Sequence, residues 1–375
     1  MLAKVVFWGG AAALAWTHVG YPLAAAVGAR LRPRPVRRGD GIPSVSLIVA
    51  AHDEEDVIER RVANLLQLDY PADKLEIVVA SDASGDRTDE LVEAIASREP
   101  RVRLLRAPRG GKVAAQNLAV RETTGEILAF SDANATWPPE ALGKLVRSFA
   151  DPEVAYVSGR ATYEGADGTN REGAYWAFEL WLREQESLLG SITGGNGPIY
   201  AVRRDDYVDV DPRFGHDLAF PYLMVQRGRR AVYDPEAVSV EKPSRDLEDE
   251  YRRKVRMFEH CWLITLRGGM LRDVDSVYLG ELLSHRVLRY GSGLLHLAVL
   301  GANVALVGRG RIYDIALAKQ AAFLALAAAG KAGVRLPGAA LAYYYVLVTW
   351  ATVVSLAGYL REGVPAVWEK AEGTR

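Results

Sequence analysis

Four acidic positions punctuate the first two thirds of this chain, set where apolar β-rich runs stop. "VSLIVAAHDEED" runs into Asp53, Glu54 and Glu55, "LEIVVASDASGDRTDE" into Asp82, and "EILAFSDANA" into Asp132; much later "FGHDLAF" carries Asp217. Between the runs lie amphipathic helical stretches. The patterns predict strands at Val45–Ala50, Leu75–Ala80, Val102–Leu105 and Ile127–Ser131. Helices are expected at Glu54–Leu66, Thr88–Ser97, Lys112–Arg121 and Pro139–Phe149. In the first helix Ile58, Val62, Leu65 and Leu66 share a face, and Pro139 suits a first turn. Such alternation implies βαβ units and a parallel sheet with helices on both faces. Parallel sheets bind ligands beyond the carboxyl ends of their strands, which is where these acids fall.

Composition narrows the class of function. The chain has 375 residues and a formal net charge of −1. A nucleic-acid binder usually carries a clear basic excess, so nucleic acid is not an expected partner. Cys261 is the single cysteine, which excludes an intrachain disulfide and a cysteine metal cluster.

Hydrophobicity is concentrated at the two ends. Val5 to Ala29 has no Asp, Glu, Lys or Arg, and at roughly 1.5 Å per residue it can cross a bilayer core of about 30 Å. "RLRPRPVRR" follows, with arginines at 30, 32, 34, 37 and 38. A cleaved leader is the rival reading. The dense basic run argues against it and holds that side in the cytoplasm. Gly291–Gly308 and Pro337–Leu360 also read as spans, and Ile312–Gly330, with Asp314 and Lys319, as a weaker one. Three crossings would put Lys370 and Arg375 outside; two crossings plus an interfacial segment would put them inside. The expected division is 1–40, 41–265 and 266–375.

After Phe149 the pattern turns irregular. Strands are expected at Val154–Ser158 and Pro198–Arg203, and an amphipathic helix at Glu172–Leu189. "ITGGNGPIY" is a glycine-rich turn where backbone can approach a ligand. Asp246–Trp262 reads as a charged helix leading to the membrane region.

Each motif has a structural and a functional reading. In "DASGDRTDE", Ser84 or Asp86 suits a helix cap, which leaves Asp82 to meet a base or ribose. "RGGK" puts Gly110 and Gly111 before a helix, so Lys112 and first-turn N–H groups would face an anion; it is not a Walker A sequence. Asp132 and Asn134 are either an Asx turn or two oxygen ligands for Mg²⁺ or Mn²⁺ against phosphates. His216-Asp217 is a cap, a surface pair or a catalytic pair. Arg253 and Arg256, at i and i+3, could grip a diphosphate together or touch anionic lipid. For Trp137, Trp176, Trp181 and Trp262, core packing or interfacial anchoring outweighs an acceptor platform.

Taken in order, these residues resemble the membrane-bound family-2 glycosyltransferases, relatives of cellulose, hyaluronan and poly-N-acetylglucosamine synthases. "AAHDEE" is similar to the opening Tyr-Asn-Glu-Glu motif, with His52 and Asp53 as departures. Asp82 matches the nucleotide-contacting aspartate, and Lys112 with Asn117 the Gly-Lys…Asn segment. "SDAN" matches Asp-x-Asp with Asn134 in the second acidic place. "GGNGPIYAVRR" resembles the acceptor-side loop, and Asp217 falls on the general base, with His216 beside it. Arg253-x-x-Arg256-Met257 stands where processive members have Gln-x-x-Arg-Trp.

The resemblance implies a GT-A fold, a Rossmann-like α/β nucleotide-sugar-binding domain flanked by transmembrane helices. It implies an inverting, multi-pass cell-membrane enzyme with a cytosolic catalytic domain and a nucleoside-diphosphate sugar donor, a UDP-sugar as first expectation. Glu54 and Asp82 would bind the nucleoside, Lys112, Arg253 and Arg256 the diphosphate, and Asp132 and Asn134 a Mg²⁺ or Mn²⁺ ion. Asp217 would be the base. The acceptor would be a polysaccharide or a lipid-linked glycan, or, for single transfer, a lipid carrier or headgroup. Membrane lipids, a second copy or a polysaccharide-synthesis subunit are the other expected partners. A non-catalytic nucleotide-sugar-binding subunit is the rival class.

Overall fold

The computed structural model describes residues 1–163, 171–242 and 247–367, with backbone alone at 171–175. Asp246, Lys370 and Arg375 lie outside the described residues. The strands are β1 Val45–Ala51, β2 Leu75–Asp82, β3 Val102–Ala107, β4 Ile127–Asp132, β5 Val154–Tyr163, β6 Tyr200–Arg203 and β7 Arg230–Glu241. They form one sheet in the order β3-β2-β1-β4-β6-β5-β7.

Alternation along β1, β2 and β4 sends side chains to two separate cores. Leu47, Val49, Ile77, Val79 and Ala129 pack with the helices Ile58–Leu66 and Ala141–Val146. Ile48, Val78, Ala80, Leu128 and Phe130 pack on the other face with Lys112–Arg121 and His216–Gln226. Both faces of these strands are buried, which is why they read as continuous apolar runs.

Register explains where the acids go. Ala51 of β1 pairs with Ser81, Asp82 pairs with Ala107, and Ala50 pairs with Asp132. The carboxyl ends of the first four strands are therefore level. β6 runs antiparallel to β4, with Phe130 beside Tyr200, so its entry, the glycine-rich loop, arrives at the same edge. β5 is antiparallel to β6 and parallel to β7, so Tyr163 and Glu241 end there as well.

Two expectations are corrected. The first helix begins at Ile58 rather than Glu54. Asp53 adopts a φ of 53°, and the Glu54 and Glu55 amides donate to Thr88 Oγ1 and Asp86 Oδ2 instead of entering a helix. The fourth is α-helical over Ala141–Val146 and tightens into a 3₁₀ turn at Arg147–Ala150.

The apolar ends are helical. Leu2–Leu31, Arg311–Lys331 and Ala339–Glu362 are each long and apolar enough to cross a membrane. The ranking from sequence changes here. Ser292–Val304 has 13 residues, only about 20 Å at 1.5 Å each, whereas Arg311–Lys331, the weaker candidate by charge, has the length. Trp8, Val19, Leu23, Phe323, Leu341 and Trp350 are exposed along these helices, an arrangement that suits a lipid solvent.

Candidate active site at the strand ends

The residues expected to bind donor or metal or to act as base line one cavity of about 490 Å³ at the carboxyl edge of the sheet: Glu54 and Asp82, Lys112, Asp132 and Asn134, Asp217, and Arg253 with Arg256. A shallow hollow bordered by Phe149, Arg203 and Arg229 lies at the opposite edge, beyond the far end of β6.

The β1 and β2 end loops clasp each other. Asp53 Oδ1 accepts from the Gly85 amide at 2.7 Å, and Asp86 accepts from the amides of Glu55 and Thr88. Asp86, not Ser84, serves the helix start. Asp82 is 2% exposed and is engaged by its own chain. Its carboxylate accepts from the Gly110 amide at 2.7 Å and the Gly111 amide at 3.0 Å, and pairs with Arg109. Asp82 thus shapes the loop that enters the Lys112–Arg121 helix. Gly111, at φ 90°, has no room for a side chain, because a Cβ would strike the Ala366 carbonyl from the segment after the last helix.

Lys112 pairs with Asp132 Oδ1. Burial works against the Lys112 charge, and Asp132, Asp217 and Glu241 outweigh it, so its pKa is raised. Gly197 marks where the charged groups converge. A Cβ there would stand 3.7 Å from Asp217 Oδ2, 3.7 Å from Lys112 Nζ and 3.9 Å from Asp132 Oδ2. Asp217 occupies the first turn of the His216–Gln226 helix. Burial pushes its carboxyl above the ordinary range; Lys112 pulls it partly back, and Asp132 adds to the rise.

His216 turns the other way. It is buried among Phe130, Tyr207 and Phe220, with Nδ1 2.9 Å from Tyr200 Oη. Burial first and Lys112 second hold its pKa at about 3, so it is neutral near pH 7. Asn117 is structural too, donating to the Val210 carbonyl and accepting from Tyr207 Oη.

Arg253 is held by Glu250 at 2.6 Å and stacks on Tyr163. Trp137 is fully buried, with Nε1 donating to the Pro198 carbonyl and the Arg61 guanidinium over its ring. Trp262 donates to Thr352 in the last helix. Both therefore pack. Trp181 is 39% exposed, and Trp176 lines the cavity.

Sequence reasoning missed several lining residues. Glu241, at the end of β7, is pushed to about 7 by burial and the Asp132 charge. Its signal was the alternating "AVSVE", another β-run stopped by an acid. Arg183, Arg286 and Arg289 also line the cavity; in the sequence Arg286 and Arg289 read only as the basic flank before the Gly291–Gly308 span, and Arg183 carries no local signal.

Residues 46–210 match the profile of Glycosyl transferase family 2. A beta-monoglucosyldiacylglycerol synthase of Synechocystis sp. is 32% identical over 186 residues, 46% of this chain and 39% of that one. An N-acetylglucosaminyltransferase of Rhizobium meliloti is 27% identical over 290 residues, 68% and 66% of the two chains. The chain spans less than half the length of the glucosyldiacylglycerol synthases it matches. A mannosyltransferase from Pyrobaculum calidifontis, solved in complex with GDP-Man and Mn²⁺, superposes with a TM-score of 0.74 over 96% of this chain and 99% of that one, at 24% identity. That likeness is one of fold, the GT-A fold expected from the resemblance. This chain therefore carries a family-2 glycosyltransferase domain on a GT-A fold.

Proposed function

We propose that the chain transfers a sugar from a nucleoside-diphosphate sugar to an acceptor hydroxyl at a membrane surface, with inversion at the anomeric carbon. The observation that carries this is the convergence of Asp217, Lys112 and Asp132 on the space in front of Gly197. Asp217 takes the hydroxyl proton as the acceptor oxygen attacks the anomeric carbon. The sugar–phosphate bond breaks and the nucleoside diphosphate leaves. A raised carboxyl pKa suits a base working near neutrality. Glu54 and Asp82 border the nucleoside, Asp82 also fixing the Gly110–Gly111 turn beside it, and Lys112, Arg253 and Arg256 take the diphosphate.

The donor set fits a hard cation. Asp132 turns Oδ2 toward the cavity and Asn134 lines it, so two protein oxygens plus diphosphate oxygens and water suit Mg²⁺ or Mn²⁺. Among the described residues no group of three His, Cys, Asp or Glu is arranged for a metal, consistent with an ion held largely by its substrate. When bound, it would neutralise charge on the departing diphosphate. The Mn²⁺ in the mannosyltransferase complex supports this reading.

Residues 41–265 are the catalytic unit, on the cytosolic side of a multi-pass membrane protein; the Arg30–Arg38 run supports that side. A lipid acceptor is favoured because the cavity ends at Arg289 and Tyr290, beside the apolar helix Ser292–Val304. The test is a screen of nucleotide sugars for nucleoside-diphosphate release by the full chain in detergent, with and without Mg²⁺ or Mn²⁺. Release from one donor is expected. Nucleotide binding without turnover of any donor would favour the non-catalytic subunit instead.

A further inference from the structure

The acceptor arm of the cavity carries two guanidinium groups that the proposed chemistry does not use. Arg183 lies in the Arg171–Leu189 helix and is 6% exposed. It donates to Asn196 Oδ1 at 2.6 Å and lies over the Trp176 and Tyr233 rings. Arg286, more than a hundred residues later, rests against the glycine-rich loop: a Cβ on Gly194 would meet Arg286 Nη2 at 2.5 Å. Its Nε donates to Thr193 Oγ1 at 2.9 Å.

The carboxylates nearby are already taken. Glu179 pairs with Arg289 and with His285 Nε2, and Glu186 accepts from Tyr21 and Thr193 and pairs with His285 Nδ1. Among the described residues neither Arg183 nor Arg286 forms an ion pair with a carboxylate; Glu186 and Glu179 act on Arg286 only at longer range. Two cations in one cleft, each answered by a neutral oxygen, match a ligand that brings its own anion. The planar fork of arginine fits phosphate oxygens better than any neutral headgroup.

The surroundings indicate where that anion is attached. Gly195, next to the loop residue under Arg286, donates its amide to the Asp217 carbonyl at 2.7 Å, so the cations stand beside the proposed base. In the other direction the helical stretch carrying Arg286 continues past Gly291 into apolar Ser292–Val304, which packs Val299 on Gly10 of the first helix.

We propose that Arg183 and Arg286 form a phosphate subsite for the acceptor, which is a lipid with a hydroxyl-bearing phosphodiester headgroup. The phosphodiester stays intact on the arginines. The headgroup hydroxyl loses its proton to Asp217, its oxygen forms the new bond to the anomeric carbon, and the nucleoside diphosphate departs. This rests on the proposed function, and it differs from a neutral diacylglycerol acceptor in requiring the anion.

The test is binding of dihexanoyl phosphatidylglycerol, monomeric in water, to the full chain in uncharged detergent, beside dihexanoyl phosphatidylcholine, dihexanoylglycerol and glycerol 3-phosphate. Phosphatidylglycerol should bind best. Arg286→Gln, and Arg286→Lys to a lesser degree, should weaken it by roughly 10- to 100-fold, the scale of one charge-assisted contact. Arg183→Gln should act in the same direction. Equal binding of the neutral lipid, binding unchanged in Arg286→Gln, or glycerol 3-phosphate binding as tightly as the lipid would each overturn the proposal. Nucleoside-diphosphate binding by the unsubstituted chain, read separately, reports on the donor site, so failure of the proposed function is distinguishable from failure of this subsite.

Discussion

The amide of Gly195 donates to the backbone carbonyl of Asp217 at 2.7 Å. This bond ties the glycine-rich loop to the first turn of the His216–Gln226 helix and sets the Asp217 carboxylate facing Lys112 and Asp132. Asp217→Asn keeps the shape and this backbone bond while removing the proton acceptor. Transfer should fall by about 10²–10⁴-fold, the usual worth of a positioned base, with nucleotide affinity retained. Asp132→Asn should reduce both. Single-turnover rates beside equilibrium nucleotide binding separate the two outcomes, and near-normal transfer by Asp217→Asn would remove Asp217 as the base.

Two glycines of the same loop should fail in different ways. A methyl on Gly197 meets its neighbours at ordinary contact distance, 3.7 to 3.9 Å, so Gly197→Ala should fold. It fills the space between base and cation, and transfer should fall roughly 10²-fold, the scale of a misplacement of about 1 Å. A methyl on Gly195 collides with Tyr156 Oη, so Gly195→Ala should destabilise the fold by about 1–3 kcal/mol. Melting curves beside activity distinguish them; a Gly197→Ala protein of full activity would place the reaction elsewhere.

Metal dependence should sharpen on substitution. Asn134→Asp adds a carboxylate to a cavity wall that already carries Asp132, and the apparent affinity for Mn²⁺ should rise. Activation curves in Mn²⁺ and Mg²⁺ test this. Activity undiminished by exhaustive chelation would contradict the expected dependence.

His216 gives a pH signature in stability rather than rate. Its pKa falls from 6.5 to about 3 on folding, so the unfolded chain takes up a proton that the folded chain refuses. The His216 contribution is present above pH 6.5 and is lost as pH falls toward 3, by up to about 1.4 kcal/mol per unit. His216→Asn should flatten the pH dependence of denaturant midpoints over that window. An unchanged slope would mean that His216 is protonated in the fold.

The strand-end acids were legible because a parallel sheet buried on both faces leaves two local marks, an apolar run and the polar residue that stops it. Asp82, Asp132 and Glu54 needed nothing more. β7 was not legible for a physical reason. Asp234-Pro235 reads as a turn, yet in the sheet it is a bulge: Tyr233 pairs with Ser158 and Val238 with Arg160, so four residues of β7 stand against Gly159 alone. Asp234 is fully buried there against Arg147. Glu241 was hidden behind that bulge. Arg183 and Arg286 were out of reach because a hundred residues and a helix packing separate them, and no local period records such a meeting. Asp82 was legible at its strand end, but its hydrogen bonds to the Gly110 and Gly111 amides join segments that only the fold brings together.

The contact between Gly111 and Ala366 carries a parity. The chain leaves the lining of the cavity after Tyr290 and is back against the same domain at Ala366, on the loop that precedes Lys112. Whatever number of times it passes through a bilayer in between, that number is even. Of the apolar helices Ser292–Val304, Arg311–Lys331 and Ala339–Glu362, an odd one must lie along the surface or stop short. A reporter fused at the chain's C-terminal end and one inserted after Asp40 should therefore report the same compartment.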